Sequence, residues 1–163
     1  MGASPKKINT ELVAVIGVML EKLESGGSVA FSPKGVSMLP MLRASGDTVT
    51  LVKPPARLKK GMVALFVSGE GAESKFVLHR LVRIRGEELV FCGDNRLECD
   101  EPVKRDAVIG VLTEYESRGK RRSVRAPWYR LYSFWMRATV PSKRLAIGLQ
   151  NGVYRIWKRL KRK

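Results

Sequence analysis

The feature that most narrows the fold is a change of hydrophobic period at Val29. Before it, Leu12, Val15, Ile16, Met19, Leu20 and Leu23 recur at three- and four-residue spacing, with Glu11, Glu21, Lys22 and Glu24 mostly opposite. That is the pattern of an amphipathic helix packed on a core. Asn9 or Thr10 can cap its start, and Gly26-Gly27 close its end. After Val29 the period becomes two. Strands are predicted at 28–32, 47–53, 62–67, 75–84, 88–92 and 107–114, divided by turns at Pro54-Pro55, Lys60-Gly61, Gly69-Glu70-Gly71, Gly86-Glu87 and Gly93-Asp94-Asn95. Many short strands at close spacing, broken by Gly and Pro, indicate a mainly β domain: an antiparallel barrel or coiled sheet.

Charge divides the chain a second time. Residues 1–117 carry 16 Lys and Arg against 15 Asp and Glu, whereas residues 118–163 carry 15 Lys and Arg and no acid. The net charge of +16 therefore belongs to the tail. A basic tail seeks an anionic surface, while a nearly neutral body argues against a nucleic-acid-binding core. Lys120-Arg121-Arg122 reads as a basic turn or linker. Pro127 opens a segment holding Trp128, Tyr129, Leu131, Tyr132, Phe134, Trp135 and Met136, and Pro141 divides it from a second helix at 145–160 with Ile147, Val153, Ile156, Trp157 and Leu160 apolar. Aromatics interleaved with arginine and lysine suit a lipid interface, or helices that cover a greasy edge while their basic ends reach outward, with nucleic acid a third and less favoured partner.

At 163 residues the chain is one domain with appendages. Its longest apolar run, Leu12 to Leu20, is nine residues, too short to span a bilayer, and Glu11, Glu21 and Glu24 break any secretory-signal pattern. Cys92 and Cys99 have no metal-ligand spacing, and one histidine cannot complete a zinc site, so reduced thiols and no metal or cofactor are expected.

Chemistry concentrates on Ser37, in Gly35-Val36-Ser37-Met38-Leu39-Pro40, and on the sole histidine, His79. Packed between Val36, Met38 and Leu39, the serine is expected to face inward, where its hydroxyl needs a partner. A serine hydroxyl becomes a nucleophile when a base takes its proton, and imidazole suits that work near neutral pH.

The ordered set Gly35-Val36-Ser37-Met38-Leu39-Pro40, Gly46-Asp47 before a strand, Val77-Leu78-His79-Arg80-Leu81-Val82, Gly93-Asp94-Asn95 and Val108-Ile109-Gly110-Val111 resembles the signal peptidase and SOS-repressor superfamily of serine peptidases. The likeness covers about residues 28–114. It is to the variety with a histidine base, found in the endoplasmic reticulum and archaea, rather than the lysine variety. The resemblance implies that Ser37 is the nucleophile and His79 the general base. An acid orients the imidazole, Asp94 first and Asp100 second, and backbone N–H groups, Ser37's among them, hold the oxyanion. The alternative for Asp94 is a turn residue stabilising its own loop. Asp47 reads as a turn and strand-start residue, and Arg80 as a support by packing or ion pair.

Three positions depart from the superfamily pattern. Gly35 stands where many signal peptidases have an oxyanion-donating serine, Gly61-Met62 replaces Gly-Asp, and membrane anchors are absent. The expectation is a helix at 1–27, a signal-peptidase-like domain at 28–117 and a basic aromatic helical extension at 118–163. Its function would be cleavage of a leader or precursor peptide by a Ser–His dyad or Ser–His–Asp triad. It would work in the cytoplasm or peripherally on the inner face of the membrane, its tail meeting anionic lipid. The alternatives are self-cleavage near Gly26-Gly27-Ser28, as in the SOS repressors, and a non-catalytic relative that binds peptide or membrane.

Overall fold

A computed structural model describes residues 10–44, 46–69 and 71–139. Helix α1 runs Thr10–Glu24 and seven strands follow: β1 Val29–Phe31, β2 Thr48–Val52, β3 Val63–Ser68, β4 Lys75–Arg85, β5 Glu88–Cys92, β6 Val108–Ser117 and β7 Lys120–Ser123. A second helix, α2, occupies 127–139. Every strand pairing is antiparallel, in the order β1-β2-β6-β3-β4-β5, with β7 also beside β6. Strand β6 carries β2 on one edge, and on the other β3 along its first half and β7 along its second.

The mainly β expectation holds, and all six predicted strands form. Barrel closure does not. Strands β1 and β5 end the sheet without pairing to each other, so it stays open. Strand β7 corrects a second expectation: Lys120-Arg121-Arg122 is not a linker but a hairpin strand, with Arg121 bonded to Glu114 across the pair.

Both faces of the sheet are covered near its middle, which is why β3 reads as an unbroken apolar run. Val63 and Leu65 point into one cluster with Leu23, Val49, Leu51, Ile109 and Leu112. Ala64 and Phe66 point into the other with Leu81, Leu89 and Phe91, where the Phe66 and Phe91 rings stack at 4.5 Å. The two-residue alternation of a strand makes this division automatic.

The helices fit the sheet unequally. Among the described side chains of α1, Ile16, Met19 and Leu23 reach the core, while Val15 and Leu20, expected on the packed face, are exposed along with Val13 and Val18; the Leu12 side chain lies outside the described residues. A sheet offers one narrow contact line to a helix crossing it, and the remaining apolar positions of α1 lie outside that line. Gly26, at φ 80°, turns the chain out of α1, and the Gly27 N–H closes on Lys22 O at 3.0 Å. The proposed self-cleavage segment is thus a closed helix end rather than an extended strand. Helix α2 begins at Pro127, the first-turn position proline favours, and buries Tyr129 and Ser133. The helix expected at 145–160, the Pro141 break and the Asn9 cap lie outside the described residues.

Candidate active site

Ser37 stands in the turn between β1 and β2, and that turn is built from both sides. Gly35 adopts φ 90°, a left-handed conformation that a serine would enter only under strain. Within the turn, Leu39 N–H donates to Val36 O and Leu42 N–H to Met38 O. From across the site the Gly93-Asp94-Asn95 loop braces it: Asn95 N–H donates to Ser37 O at 2.8 Å and Asn95 Nδ2 to Val36 O at 3.2 Å. The serine is half-buried, Met38 is buried, and Val36 is turned to solvent at 58% exposure. Apolar neighbours in sequence therefore do not enclose the hydroxyl as expected.

His79 lies within β4, buried, its ring edge-on to Phe66 at 6.5 Å between centroids. Its Nδ1 meets Asp100 Oδ2 at 2.5 Å. A carboxylate only accepts, so Nδ1 carries a proton, and in the neutral tautomer this fixes, the lone pair lies on Nε2. Nε2 faces Gly93. A β-carbon placed on Gly93 would lie 3.0 Å from Nε2 and 2.7 Å from Ser37 O, so this glycine lets the imidazole and the serine turn approach one point. Ser37 and His79 line the same cavity of about 210 Å³, with Lys34, Lys75 and Arg96 around it and no carboxylate in its wall among the described residues. No hydrogen bond joins the two side chains among the described residues, an arrangement common in enzymes before substrate closes the contact. The N–H groups of Ser37 and Met38 donate to no backbone acceptor among the described residues, which leaves two donors beside the hydroxyl.

The two candidate acids separate. Asp100 takes the place expected first for Asp94. Asp94 instead clamps Arg80, accepting from Nε and Nη2 at 2.7 Å each. Adjacent β4 residues point to opposite faces, so an acid that pairs with Arg80 lies on the wrong side for His79. The Arg80 Nη1 reaches Gly61 O, Ser133 Oγ and Tyr129 OH at 3.0, 3.0 and 3.2 Å, and Tyr132 OH donates to Asp94 at 2.9 Å. Arg80 also stacks on the Tyr129 and Tyr132 rings. Burial works against the guanidinium charge, yet Asp94 outweighs it and the pKa is raised. Burial and the Asp94 carboxylate push the Tyr132 hydroxyl well above the ordinary tyrosine range. Arg80 is thus the ion-paired support expected of it, but its partners from α2 were not foreseen. The signal was present: Tyr129, Tyr132 and Ser133 share one helical face after Pro127.

Asp47 is more than a turn residue. Its carboxylate takes Arg43 N–H and guanidinium, Ser117 Oγ at 2.7 Å and Arg118 N–H, binding the start of β2 to the end of β6. Burial raises its pKa, but those bonds prevail and hold it at about 2. Cys92 is buried and Cys99 half-buried, and no disulfide joins them. No group of metal-ligating side chains occurs among the described residues. No protein-family model, curated protein or solved structure matches this chain.

Proposed function

We propose that this chain is a serine endopeptidase that cleaves a leader or precursor peptide. The observation that carries the reading is the His79–Asp100 pair, with Nε2 open toward the cavity lined by Ser37. The likeness of Ser37-Met38-Leu39-Pro40, His79-Arg80 and Gly93-Asp94-Asn95 to the signal peptidase and SOS-repressor superfamily supports it, and the open sheet is read as that fold.

In the proposed reaction, Ser37 Oγ attacks the scissile carbonyl carbon while His79 Nε2 takes the hydroxyl proton. Asp100 keeps the ring in the required tautomer and stabilises the imidazolium. The oxyanion falls to the Ser37 and Met38 N–H groups. Collapse expels the amine, which receives the proton from Nε2. Water then repeats the sequence on the acyl-enzyme, returning the proton to Ser37.

The substrate would enter as a strand. Residues Lys75 to His79 of β4 pair with β3 on one side only, because β5 begins its pairing at Arg80. The other edge of that stretch borders the Ser37 cavity, so an extended peptide can add to it through main-chain hydrogen bonds, with small side chains entering beside Ser37. Three cations around a cavity without carboxylates favour an acidic residue near the cut. The reading places the enzyme in the cytoplasm or at the inner face of the membrane; no helix among the described residues is long and apolar enough to cross one.

The test is a mixed peptide library incubated with the pure protein, Ser37→Ala and His79→Ala alongside. Cuts after small residues by the wild type and by neither folded variant are expected. Cuts that survive in either variant, or a wild type that leaves the whole library intact, would overturn it.

A further inference from the structure

Helix α2 has two apolar faces, and among the described residues only one of them is covered. Tyr129, Tyr132 and Ser133 turn inward onto Arg80. On the opposite side Trp128, Leu131, Phe134 and Trp135 are 43, 71, 59 and 64% exposed. Four large apolar side chains on one short helix form a contiguous patch of the kind that marks an interaction surface. Two of them carry a guanidinium on the ring: Arg122 lies 5.1 Å from the Trp128 centroid and Arg137 5.9 Å from that of Phe134.

Beside Trp128 lies a cavity of about 220 Å³ bounded by the Pro40-Met41 turn, Tyr115, Ser117, Tyr132 and two arginines, Arg118 and Arg122. No carboxylate among the described residues lines it. A cationic recess of that size at the margin of an aromatic ridge fits a phosphate group attached to an apolar body.

We infer that the Trp128–Leu131–Phe134–Trp135 face of α2 inserts shallowly into an anionic phospholipid surface while Arg118 and Arg122 take a headgroup phosphate in the adjoining cavity. Charge selects this occupant. Residues 118–163 hold 15 Lys and Arg without a single acid, so a second copy or the chain's own remaining tail would bring like charge against like. An anionic leaflet instead attracts each basic residue near its surface, and the aromatic rings settle at headgroup depth. The Ser37 turn connects the two regions: its Met38 end borders the reaction cavity and its Pro40-Met41 end borders the proposed headgroup cavity. Docking in this way would hold the reaction cavity close to the lipid surface. The lipid inference does not depend on the peptidase reading.

The experiment is flotation of the full chain with vesicles of phosphatidylglycerol and phosphatidylcholine, and with phosphatidylcholine alone. Trp157→Phe is used throughout, so that quenching by brominated lipid reports Trp128 and Trp135. Expected are binding to the anionic vesicles, quenching of tryptophan emission, and binding about tenfold weaker both in Leu131→Ser/Trp135→Ser and in Arg118→Gln/Arg122→Gln. The inference is overturned by absence of binding to anionic vesicles at low salt, or by binding without quenching. It is equally overturned if both double variants bind as tightly as their parent, which would assign the attraction to diffuse tail charge. A dimer that Leu131→Ser/Trp135→Ser dissociates would give the face to a second copy instead.

Discussion

His79 and Arg80 are neighbours on β4, and each meets an aspartate from the segment after β5, yet the two pairs sit in opposite surroundings. Asp100 holds His79 by one nitrogen and leaves the other without a hydrogen-bond partner among the described residues, at the cavity that Ser37 lines. Asp94 holds Arg80 by two, and Gly61, Ser133, Tyr129 and Tyr132 enclose the rest. The first pair keeps a lone pair available for proton transfer. The second uses nearly every polar atom on structure. The difference comes from strand alternation, which sends the two consecutive side chains to opposite faces, one bordering the Ser37 cavity and the other sealed by α2.

The sharpest way to break this comparison is to neutralise each acid in turn. Asp100→Asn should lower peptide cleavage by about 10³- to 10⁴-fold, since the ring loses its fixed tautomer, while the melting temperature changes little. Asp94→Asn should do the reverse in kind. Leaving Arg80 buried without its partner costs about 3–5 kcal/mol, read as a fall in the denaturation midpoint, and any activity loss should track the unfolded fraction. Were Asp94→Asn stable and inactive, the roles assigned to the two acids would be exchanged.

A smaller effect separates the two regions by pH. The raised pKa values of Tyr129 and Tyr132, and of Tyr115, which burial pushes up to about 12, belong to hydroxyls that stay neutral in the fold. The unfolded chain ionises its tyrosines near 10, so stability is intact below that pH and should fall progressively between about pH 10 and 12. Asp47 has the opposite sign: held at about 2 against an ordinary 3.8, it adds stability that should fade as pH drops from about 4 toward 2. Thermal melts across both ranges check the two slopes, and Tyr132→Phe should flatten the alkaline one.

Much of this was legible in the chain. The period change at Val29 marks where α1 yields to strands, and glycine and proline mark most of the turns. Ser37 and His79 stood out because the serine lies in a glycine- and proline-bounded turn and the chain has one histidine. What the sequence hid depends on contacts between distant segments. Asp94 and Asp100 lie six positions apart in the same loop region, and only the face on which each meets β4 separates their roles. Strand β7 was hidden because Lys120-Arg121-Arg122 lacks the apolar alternation of a buried strand; as a short edge strand it is held by its ladder to β6 and by the Arg121–Glu114 pair. The exposed side of α1 was misjudged for a related reason, since spacing gives the width of an apolar stripe but not how much of it the sheet can cover.

Because His79 is the only histidine, the nitrogen-15 NMR spectrum of the imidazole side chain reads its hydrogen bonding without overlap. The expected spectrum at mildly alkaline pH shows a protonated Nδ1 and a bare Nε2, with a far-downfield Nδ1 proton. That proton should persist in Asp94→Asn and vanish in Asp100→Asn. A proton on Nε2 in the wild type, or a downfield signal that Asp100→Asn leaves untouched, would contradict the assignment of His79 and Asp100 as the base and its orienting acid.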